Sequence, residues 1–460
     1  MRMDDEGSDV KTRPGGSRSA DPRRAADEGG GHPLRPRPRV GPMELRATRR
    51  RRRRQHVRRV VRRAALATLG TQVATVAGLL VFDSARRKDR PDHEFPHRHG
   101  DPVPVDGGEV RIYTFGENLF EDMLADIEAA STRVLFETYI WKDDAVGRRF
   151  RQALVDAHAR GVEVYVVFDA FANLVVPPAF YRDLPEGIHV KRHPLMTGGA
   201  KFFFPSHWGR NHRKLLVVDR TAAYVGGYNI GQDYANRWRD THARFSGDMV
   251  VELENAFVDY WNNYDGRPPL PQPARRTWSR EMRVHRNLPT DMVYPIRNMY
   301  LEAIDRADTR VWLTTAYLIP DDAFVRSLVQ AAGRGVDVRV IVPHFSNHIV
   351  ADWLSRVTYE RLLRGGVRLL RFENAMVHAK TATIDGIWST IGTANIDRLS
   401  LAGNYEVNME ILDADVARRM EEIFELDSGN CTELTLAEWV RRPLIARVSE
   451  GVLSPWRPLL

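Results

Sequence analysis

The pattern of apolar and polar positions predicts alternating helices and strands from about residue 118 onwards. Apolar residues recur with a helical period over residues 118–130 and, with a period near 3.6, over residues 146–160. Two apolar runs rich in β-branched and aromatic residues, 133–140 and 162–168, are typical of buried strands. An α/β domain is therefore expected in this part of the chain.

The same order of elements recurs further along the chain. A strand-like run over residues 310–319 is followed by a helical pattern over 323–334 and a second strand-like run over 336–342. The segments ARGVEVYVVFDAFAN, from Ala159, and GRGVDVRVIVPHFSN, from Gly333, align without a gap at an offset of 174 residues. Repetition at a fixed offset indicates that one structural unit is present twice.

These repeats predict two homologous α/β halves, each with a strand, a helix, a second strand and further strands. A Pro-rich segment, GRPPLPQPARR, crosses between them near residues 270–285. We therefore place the N-terminal half at residues 109–275 and the C-terminal half at 276–460.

The chain before the two halves has a different composition. Residues 1–48 lack apolar periodicity and are expected to form a disordered basic tail. Within residues 49–90, ten arginines lie between residues 49 and 63 and are followed by the uncharged run 64–82, which is about long enough to cross a bilayer. A single membrane anchor, a secretory or twin-arginine signal and a helix lying on a membrane surface all fit this segment. Residues 91–108 are interpreted as a linker rich in Pro, His and Gly.

Charge is divided unevenly along the chain. The whole chain carries +8 and residues 1–63 carry +12, so the remainder carries −4. A nucleic-acid enzyme would usually have its basic excess on the folded domain, so nucleic acid is not the expected partner. The basic segment instead favours an anionic membrane surface. Cys431 is the only cysteine, which excludes a disulfide scaffold.

One short motif in the N-terminal half carries candidate chemistry. His212 and Lys214 precede an apolar run that ends at Asp219, and Asn229 follows the small pair Gly-Gly. Residues two apart on an extended strand face the same side, so the histidine and the lysine are predicted to face one site. An imidazole beside a fixed cation suits a phosphate ester.

The motif recurs 166 residues later. His378, Lys380, Asp385 and Asn395 repeat the spacing of the first set. Each half is therefore predicted to supply one histidine and one lysine to a single active site at the interface of the halves.

This doubled HxK(x)4D pattern, with GG or GT at the seventh position after the aspartate, resembles the phospholipase D superfamily. The flanking segments FETYIWKDDAVGRRF, YANRWRDTH and NYEVNMEI are most similar to bacterial cardiolipin synthases. The resemblance implies two phospholipase D-like halves, each a mixed sheet flanked by helices. It also implies a phosphatidyltransferase that makes cardiolipin from two phosphatidylglycerols through a phosphohistidine. Such an enzyme would be associated with a membrane, expected to be the bacterial inner membrane, with the side of the catalytic part left open.

The residues support this chemistry without a metal or other cofactor. Because the anionic oxygens of a phosphodiester repel a nucleophile, Lys214 and Lys380 are expected to hold them, with further hydrogen bonds from Asn229 and Asn395. One neutral imidazole can attack phosphorus while the other, protonated, donates to the departing alkoxide.

The roles of the two histidines are assigned by the resemblance, which favours His212 as the nucleophile and His378 as the acid and later the base. The near symmetry of the halves leaves the reverse assignment open. Asp240 lies 28 residues after the first histidine, and Glu406 lies 28 after the second. The resemblance implies that each acid orients an imidazole through its Nδ1. Spacing leaves open which acid serves which histidine, including pairing between halves, and the motif aspartates are expected to be structural.

Three alternatives to a cardiolipin synthase remain at this point. A hydrolytic phospholipase D would release phosphatidic acid, a nuclease would predict a basic catalytic surface, and a lipid-binding module would need neither histidine. The aromatic segment 197–208, TGGAKFFFPSHW, fits either an interfacial loop that guides a lipid tail or a buried strand. The oligomeric state is left open.

Overall fold

A computed structural model describes residues 56, 58–63, 66–67, 70–75, 78, 94–195, 208–263, 269–271, 279 and 281–453. Residues 1–66 and 67–460 form two separate units. In the first unit, the described residues are helical. The predicted tail (1–48), parts of the predicted anchor (64–82) and nearly all of the aromatic segment 197–208 lie outside the described residues. Within the described part of the chain, no helix combines the length and the apolar character needed to cross a bilayer.

The N-terminal half is built on an eight-stranded mixed sheet. Its strands are β1 (Val103–Val105), β2 (Gly108–Tyr113), β3 (Arg133–Thr138), β4 (Glu163–Asp169), β5 (His189–His193), β6 (Leu215–Val218), β7 (Ala222–Gly226) and β9 (His242–Gly247), with the short β8 (Trp238–Arg239) outside the sheet. Its helices are α1 (Gly116–Ala129), α2 (Ala145–Ala159), α3 (Ala179–Arg182), α4 (Gln232–Asn236) and α5 (Met249–Asn262). The strand order is β1-β2-β9-β7-β6-β3-β4-β5.

The C-terminal half contains a second eight-stranded sheet. Its strands are β10 (Met282–Asn287), β11 (Arg310–Thr315), β13 (Asp337–Pro343), β14 (Arg368–Phe372), β16 (Lys380–Ile384), β17 (Trp388–Gly392), β19 (Glu406–Leu412) and β20 (Cys431–Leu434), with the short β12 (Leu318–Ile319), β15 (Met376–Val377) and β18 (Ile396–Asp397) outside it. Its helices are α6 (Pro295–Arg306), α7 (Asp322–Gly333), α8 (Ile349–Arg364), α9 (Arg398–Ala402), α10 (Ala414–Ser428), α11 (Leu436–Val440) and α12 (Leu444–Leu453). The strand order is β10-β19-β17-β16-β11-β13-β14-β20.

The two sheets share a seven-strand arrangement. The order β2-β9-β7-β6-β3-β4-β5 in the first corresponds strand by strand to β10-β19-β17-β16-β11-β13-β14 in the second. Within these seven strands, one side of each sheet is parallel and the other is antiparallel. β20 pairs antiparallel with β14 at the edge of the second sheet. The prediction of two homologous halves, each a mixed sheet flanked by helices, is confirmed. The exact domain boundaries stay a prediction.

Local sequence signals explain why the repeated helices begin and end where they do. Asp144 and Asp321 cap α2 and α7, since each carboxylate accepts a hydrogen bond from a backbone N–H in the first turn. Such a cap stabilises a helix by about 1 kcal/mol. Gly161 and Gly335 follow these helices with φ of 92° and 94°. Only glycine adopts this backbone conformation without strain, so each glycine turns the chain into the next strand.

The central strands are buried on both faces, as expected for strands covered by packing on each side. Leu215 and Val225, from β6 and β7, belong to one apolar cluster with Ile391 and Val407, from β17 and β19. Phe257 of α5 lies in the same cluster. The two halves therefore share a hydrophobic core, whose burial holds the sheets together.

The element boundaries differ from the sequence prediction in small but informative ways. α2 and α7 begin one residue before the predicted starts, because Asp144 and Asp321 cap them. α1 begins at Gly116, two residues before its predicted start, without a side-chain cap. The strand predicted to contain His212 and Lys214 begins only at Leu215. Within the segment interpreted as a linker, Val103–Val105 forms β1 and pairs with β2.

Candidate active site

Each predicted catalytic histidine lies in a short segment that pairs with the other half. The backbone N–H of His212 donates to the carbonyl of Tyr405, at 3.1 Å, and the N–H of His378 donates to the carbonyl of Arg239, at 2.7 Å. These contacts are equivalent, because Arg239 and Tyr405 are separated by the same 166 residues as the histidines. The halves thus exchange backbone hydrogen bonds at the two motifs, which fixes the histidines at their interface.

The orienting carboxylates are exchanged between halves. Nδ1 of His212 lies 3.0 and 3.1 Å from the two carboxylate oxygens of Glu406, which belongs to the C-terminal half. Nδ1 of His378 lies 2.6 Å from Oδ2 of Asp240, which belongs to the N-terminal half. Each histidine is therefore paired with the acid of the other half, a pairing that the spacing in the sequence does not determine. With Nδ1 bonded to a carboxylate, Nε2 is the ring nitrogen left for chemistry.

The two acids are supported by different neighbours. The backbone N–H of Thr241 donates to Oδ1 of Asp240, at 2.7 Å. The hydroxyl of Thr393 donates to Glu406, at 2.5 Å. Burial raises the pKa of Asp240 to about 6 and that of Glu406 to about 8. Both carboxyls are therefore costly to keep ionised unless a proton or a cation lies beside them.

Both motif lysines are buried beside the histidines. The Lys214 ammonium donates to the carbonyl of His212, at 2.6 Å, and Lys380 donates to the carbonyl of His378. Burial lowers the pKa of Lys214 to about 7 and that of Lys380 to about 8. An anion bound beside them would raise both values, because it favours the charged form. The lysines are thus suited to hold a phosphodiester.

The surroundings of both histidines favour the neutral imidazole in the ligand-free site. Burial lowers the pKa of His212 and of His378, and the charges of the two nearby lysines lower both pKa values further. Each imidazole therefore exposes an unprotonated nitrogen, which is the form a nucleophile or a base requires.

A cavity of about 500 Å³ lies beside the two histidines. His212 and His378 both line it, as do the predicted amides Asn229 and Asn395. Oδ1 of Asn229 accepts from the backbone N–H of Ile140, at 3.1 Å, which leaves the amide N–H groups available as donors. The cavity therefore presents the two motif imidazoles and the two motif amides to one ligand, and His348, Asn347 and Asn404 line it as well.

The rest of the cavity lining is mainly aromatic and aliphatic. The ring of Tyr139 lies 4.7 Å from that of His212, and the ring of Trp238 lies 5.1 Å from that of His378, centroid to centroid. Ile319 and Leu399 add aliphatic surface. A mostly apolar cavity with a few convergent polar groups suits a ligand that has one polar centre and apolar substituents.

The motif aspartates are not part of the cavity. Asp219 accepts hydrogen bonds from the backbone N–H groups of Ser131, Thr132 and Arg133, between 2.7 and 2.9 Å. Burial alone would raise the pKa of Asp219, but these hydrogen bonds outweigh it and lower the pKa. Asp385 is bonded in the same way to the backbone of residues 308–310, and its pKa is lowered for the same reason. Both aspartates tie the end of a central strand to the start of its neighbour.

Several groups in the cavity were not singled out from sequence. Tyr139 and Tyr317 occupy corresponding positions in the two repeats, so the repeat itself contained the signal for them. Asp397 also lines the cavity, and burial raises its pKa to about 7. It accepts from the backbone N–H of Ser400 as the cap of α9. Across the described part of the chain, no three His, Cys, Asp or Glu side chains cluster as metal ligands would.

Two α/β halves that each bring a histidine and an asparagine to one cavity, with a buried lysine beside each histidine, fit the phospholipase D superfamily. The family model "Cardiolipin synthase, PLD-like domain" matches residues 123–261 and 300–428, one match within each half. The chain belongs to this family of cardiolipin synthases with phospholipase D-like domains. It is therefore a phosphatidyltransferase of that superfamily.

Individual relatives agree with this assignment. The chain is 32% identical over 372 residues to cardiolipin synthase 2 of Staphylococcus epidermidis, which covers 76% of this chain and 74% of that protein. It is 30% identical over 382 residues to a cardiolipin synthase of Clostridium perfringens, covering 76% and 77% of the two chains. The crystal structure of a phosphatidylserine synthase from Haemophilus influenzae superposes with a TM-score of 0.60 at 13% identity, over 78% of this chain and 94% of that one. At that identity the superposition shows a shared fold.

Proposed function

We propose that this chain transfers the phosphatidyl group of one phosphatidylglycerol to a hydroxyl of a second, which gives cardiolipin and glycerol. The observation that carries the proposal is the pair of histidines in one cavity, each bonded through Nδ1 to a carboxylate of the other half. Two imidazoles with free Nε2 atoms on one phosphodiester are what a double displacement at phosphorus needs.

The first step forms a covalent intermediate. The Nε2 lone pair of His212 forms a bond to phosphorus while the bond from phosphorus to the glycerol oxygen breaks. His378 donates its proton to that departing oxygen, and free glycerol leaves. A bound phosphodiester anion opposes the field of the lysines, so it raises the pKa of His378 and favours the protonated form that this step requires.

The second step regenerates the enzyme. His378, now neutral, accepts the proton of the acceptor hydroxyl, and the acceptor oxygen forms a bond to phosphorus as the bond to His212 breaks. In both steps Lys214 and Lys380 neutralise the phosphoryl oxygens, with amide donors from Asn229 and Asn395. Water in place of the acceptor hydroxyl would yield phosphatidic acid, the product of the hydrolytic alternative.

The substrates are bilayer lipids, so we place the catalytic cavity at an anionic membrane surface, expected to be the bacterial inner membrane. Three apolar side chains after β4 support this. Phe171 lines the cavity and is 55% exposed, and Leu174 and Val175 are 57% and 80% exposed. Exposed apolar residues beside a lipid-binding cavity are suited to contact acyl chains. The arginines of residues 49–63 would add electrostatic attraction.

Product analysis tests the proposal. Purified protein is incubated with phosphatidylglycerol vesicles, and cardiolipin, glycerol and phosphatidic acid are quantified. We expect cardiolipin and glycerol in equal amounts from the wild type and no turnover from His212→Ala. His285→Ala is the matched control, because His285 bonds to Glu410 and lies outside the cavity. Phosphatidic acid without cardiolipin would select the hydrolase.

A further inference from the structure

The described residues that line the catalytic cavity include one arginine, Arg210, and no lysine. Its backbone is held by the other half. The N–H of Arg210 donates to Oδ1 of Asn404, at 2.9 Å, and its carbonyl accepts from the N–H of Tyr405, at 2.9 Å. Arg210 is therefore fixed at the interface, two residues before His212.

The guanidinium of Arg210 is positioned but not fully paired. Nη2 donates to the carbonyl of Pro194, at 3.0 Å, and lies 3.5 Å from Nε2 of His193. Nη1 is buried, lies 3.6 Å from Oδ1 of Asp169 and has no hydrogen bond among the described residues. Asp169 already accepts from the backbone N–H groups of Phe171 and Asn211, at 2.8 and 3.0 Å. The ion pair thus holds the guanidinium in place and leaves it donor capacity for an anion.

The C-terminal half has no equivalent of this group. The residue 166 positions after Arg210 is Met376, and the residue that aligns with Asp169 in the repeat is Pro343. The two halves match in their histidines and lysines, yet only the N-terminal half adds this cation. The cavity is therefore electrostatically asymmetric, and the two lipids that react in it meet different surroundings.

The proposed reaction, on which this inference rests, brings two phosphodiesters together. The acceptor phosphatidylglycerol carries its own phosphate on the glycerol whose free hydroxyl attacks, so a second anion must lie near the phosphoryl group held by the lysines. We infer that Arg210 forms an anion subsite that binds the phosphodiester of the acceptor lipid. Arginine suits this role because its planar donors match two phosphate oxygens. The subsite favours a lipid acceptor over water, which has no phosphate.

The experiment compares two acceptors in the same protein. Wild type, Arg210→Met and Arg210→Lys are incubated with phosphatidylglycerol vesicles, with and without ethanol, and cardiolipin, phosphatidylethanol and phosphatidic acid are measured. Arg210→Met, which introduces the residue of the other half, should lower cardiolipin formation by about ten- to a hundredfold, the factor expected for a lost ionic hydrogen bond. Phosphatidylethanol formation should stay within about threefold, because ethanol has no phosphate. Arg210→Lys should recover part of the loss.

The matched control is Arg149→Met, since Arg149 pairs with Glu121 on the surface, outside the cavity. It should leave both transfers unchanged. Equal losses of cardiolipin and phosphatidylethanol in Arg210→Met would overturn the subsite and assign Arg210 a structural role. A wild-type protein that forms phosphatidylethanol and phosphatidic acid but no cardiolipin would instead refute the proposed function itself, and the acceptor subsite with it.

Discussion

The two halves bring the same kinds of side chain to the cleft but support their carboxylates in opposite ways. In the N-terminal half, a β-carbon at Gly227 would lie 2.0 Å from Oδ1 of Asp240, so the acid occupies the space that a side chain would fill. In the C-terminal half, the position corresponding to Gly227 is Thr393, whose hydroxyl donates to Glu406. The shorter acid, Asp240, fills the space left by the missing side chain of Gly227, and the longer acid, Glu406, accepts a hydrogen bond from Thr393.

This difference shows how a repeated unit can keep its chemistry while its packing changes. The position of the imidazole is preserved, because each acid still reaches Nδ1 of the histidine across the interface. The single contact of Asp240 to His378 is short, whereas Glu406 contacts His212 through both oxygens. In both cases the acid of one half contacts the histidine of the other, but the number and length of the contacts differ. This difference permits distinct roles for the two histidines.

The largest expected effect separates those roles. His212→Ala should lower transfer by at least about 10⁴-fold and form no covalent intermediate, because it removes the proposed nucleophile. His378→Ala should be comparably inactive on phosphatidylglycerol. On a phosphatidyl ester of p-nitrophenol, which needs no acid, it should release one equivalent of nitrophenol and accumulate phosphohistidine. A burst from His212→Ala and none from His378→Ala would reverse the assignment.

Exchange of the carboxylates between halves gives the next largest effect. Glu406→Gln should slow formation of the intermediate by about 10²- to 10⁴-fold, because it disturbs the tautomer of His212. Asp240→Asn should instead leave the burst with the p-nitrophenol ester largely intact and slow its decay. Rapid-quench measurement of the two phases checks this. If Asp240→Asn suppressed the burst and Glu406→Gln did not, the pairing in solution would be within each half.

A smaller effect comes from the supports of the two acids. Gly227→Ala should displace Asp240, lower activity by about 10- to 100-fold and cost about 1–3 kcal/mol of unfolding free energy from overpacking. Thr393→Val removes one donor to Glu406 and should lower activity by about tenfold or less. Activity assays and denaturant unfolding show how the losses of activity and of unfolding free energy compare between the two variants. Equal losses would mean that the two supports are equivalent.

The smallest effect concerns a second pair of corresponding positions, His242 and Asn408. Neither ring nitrogen of His242 has a hydrogen bond among the described residues, and burial lowers its pKa to about 3. Below a pH of about 6.5 the unfolded chain takes up a proton there and the folded protein does not, so stability falls as the pH falls. Relative to His242→Asn, the wild type should lose about 2 kcal/mol of unfolding free energy between pH 7 and pH 5. Denaturant unfolding at both pH values checks this, and a difference that does not change with pH would contradict it.

Much of the site could be predicted because its motif residues occur twice in the sequence at a constant spacing. His212 and His378, with their lysines and asparagines, were found from that spacing, and the two halves followed from the repeated order of strands and helices. Which histidine each of Asp240 and Glu406 contacts could not be predicted, because distance along a chain does not determine which faces pack together. Arg210 was missed for the same reason. The sequence does not distinguish it from the other basic residues, and only the structure shows that it lines the same cavity as the histidines.

Because the carboxylates are exchanged between halves, the site is incomplete until both halves have been synthesised. When only the N-terminal half has left the ribosome, His212 is present but Glu406, the acid that orients it, has not yet been made. The backbone partner of that histidine, Tyr405, is missing as well. A chain that ends before residue 405 would therefore contain His212 without the two groups that position it. We therefore expect no transfer between membrane lipids before β19, which contains Glu406, is in place.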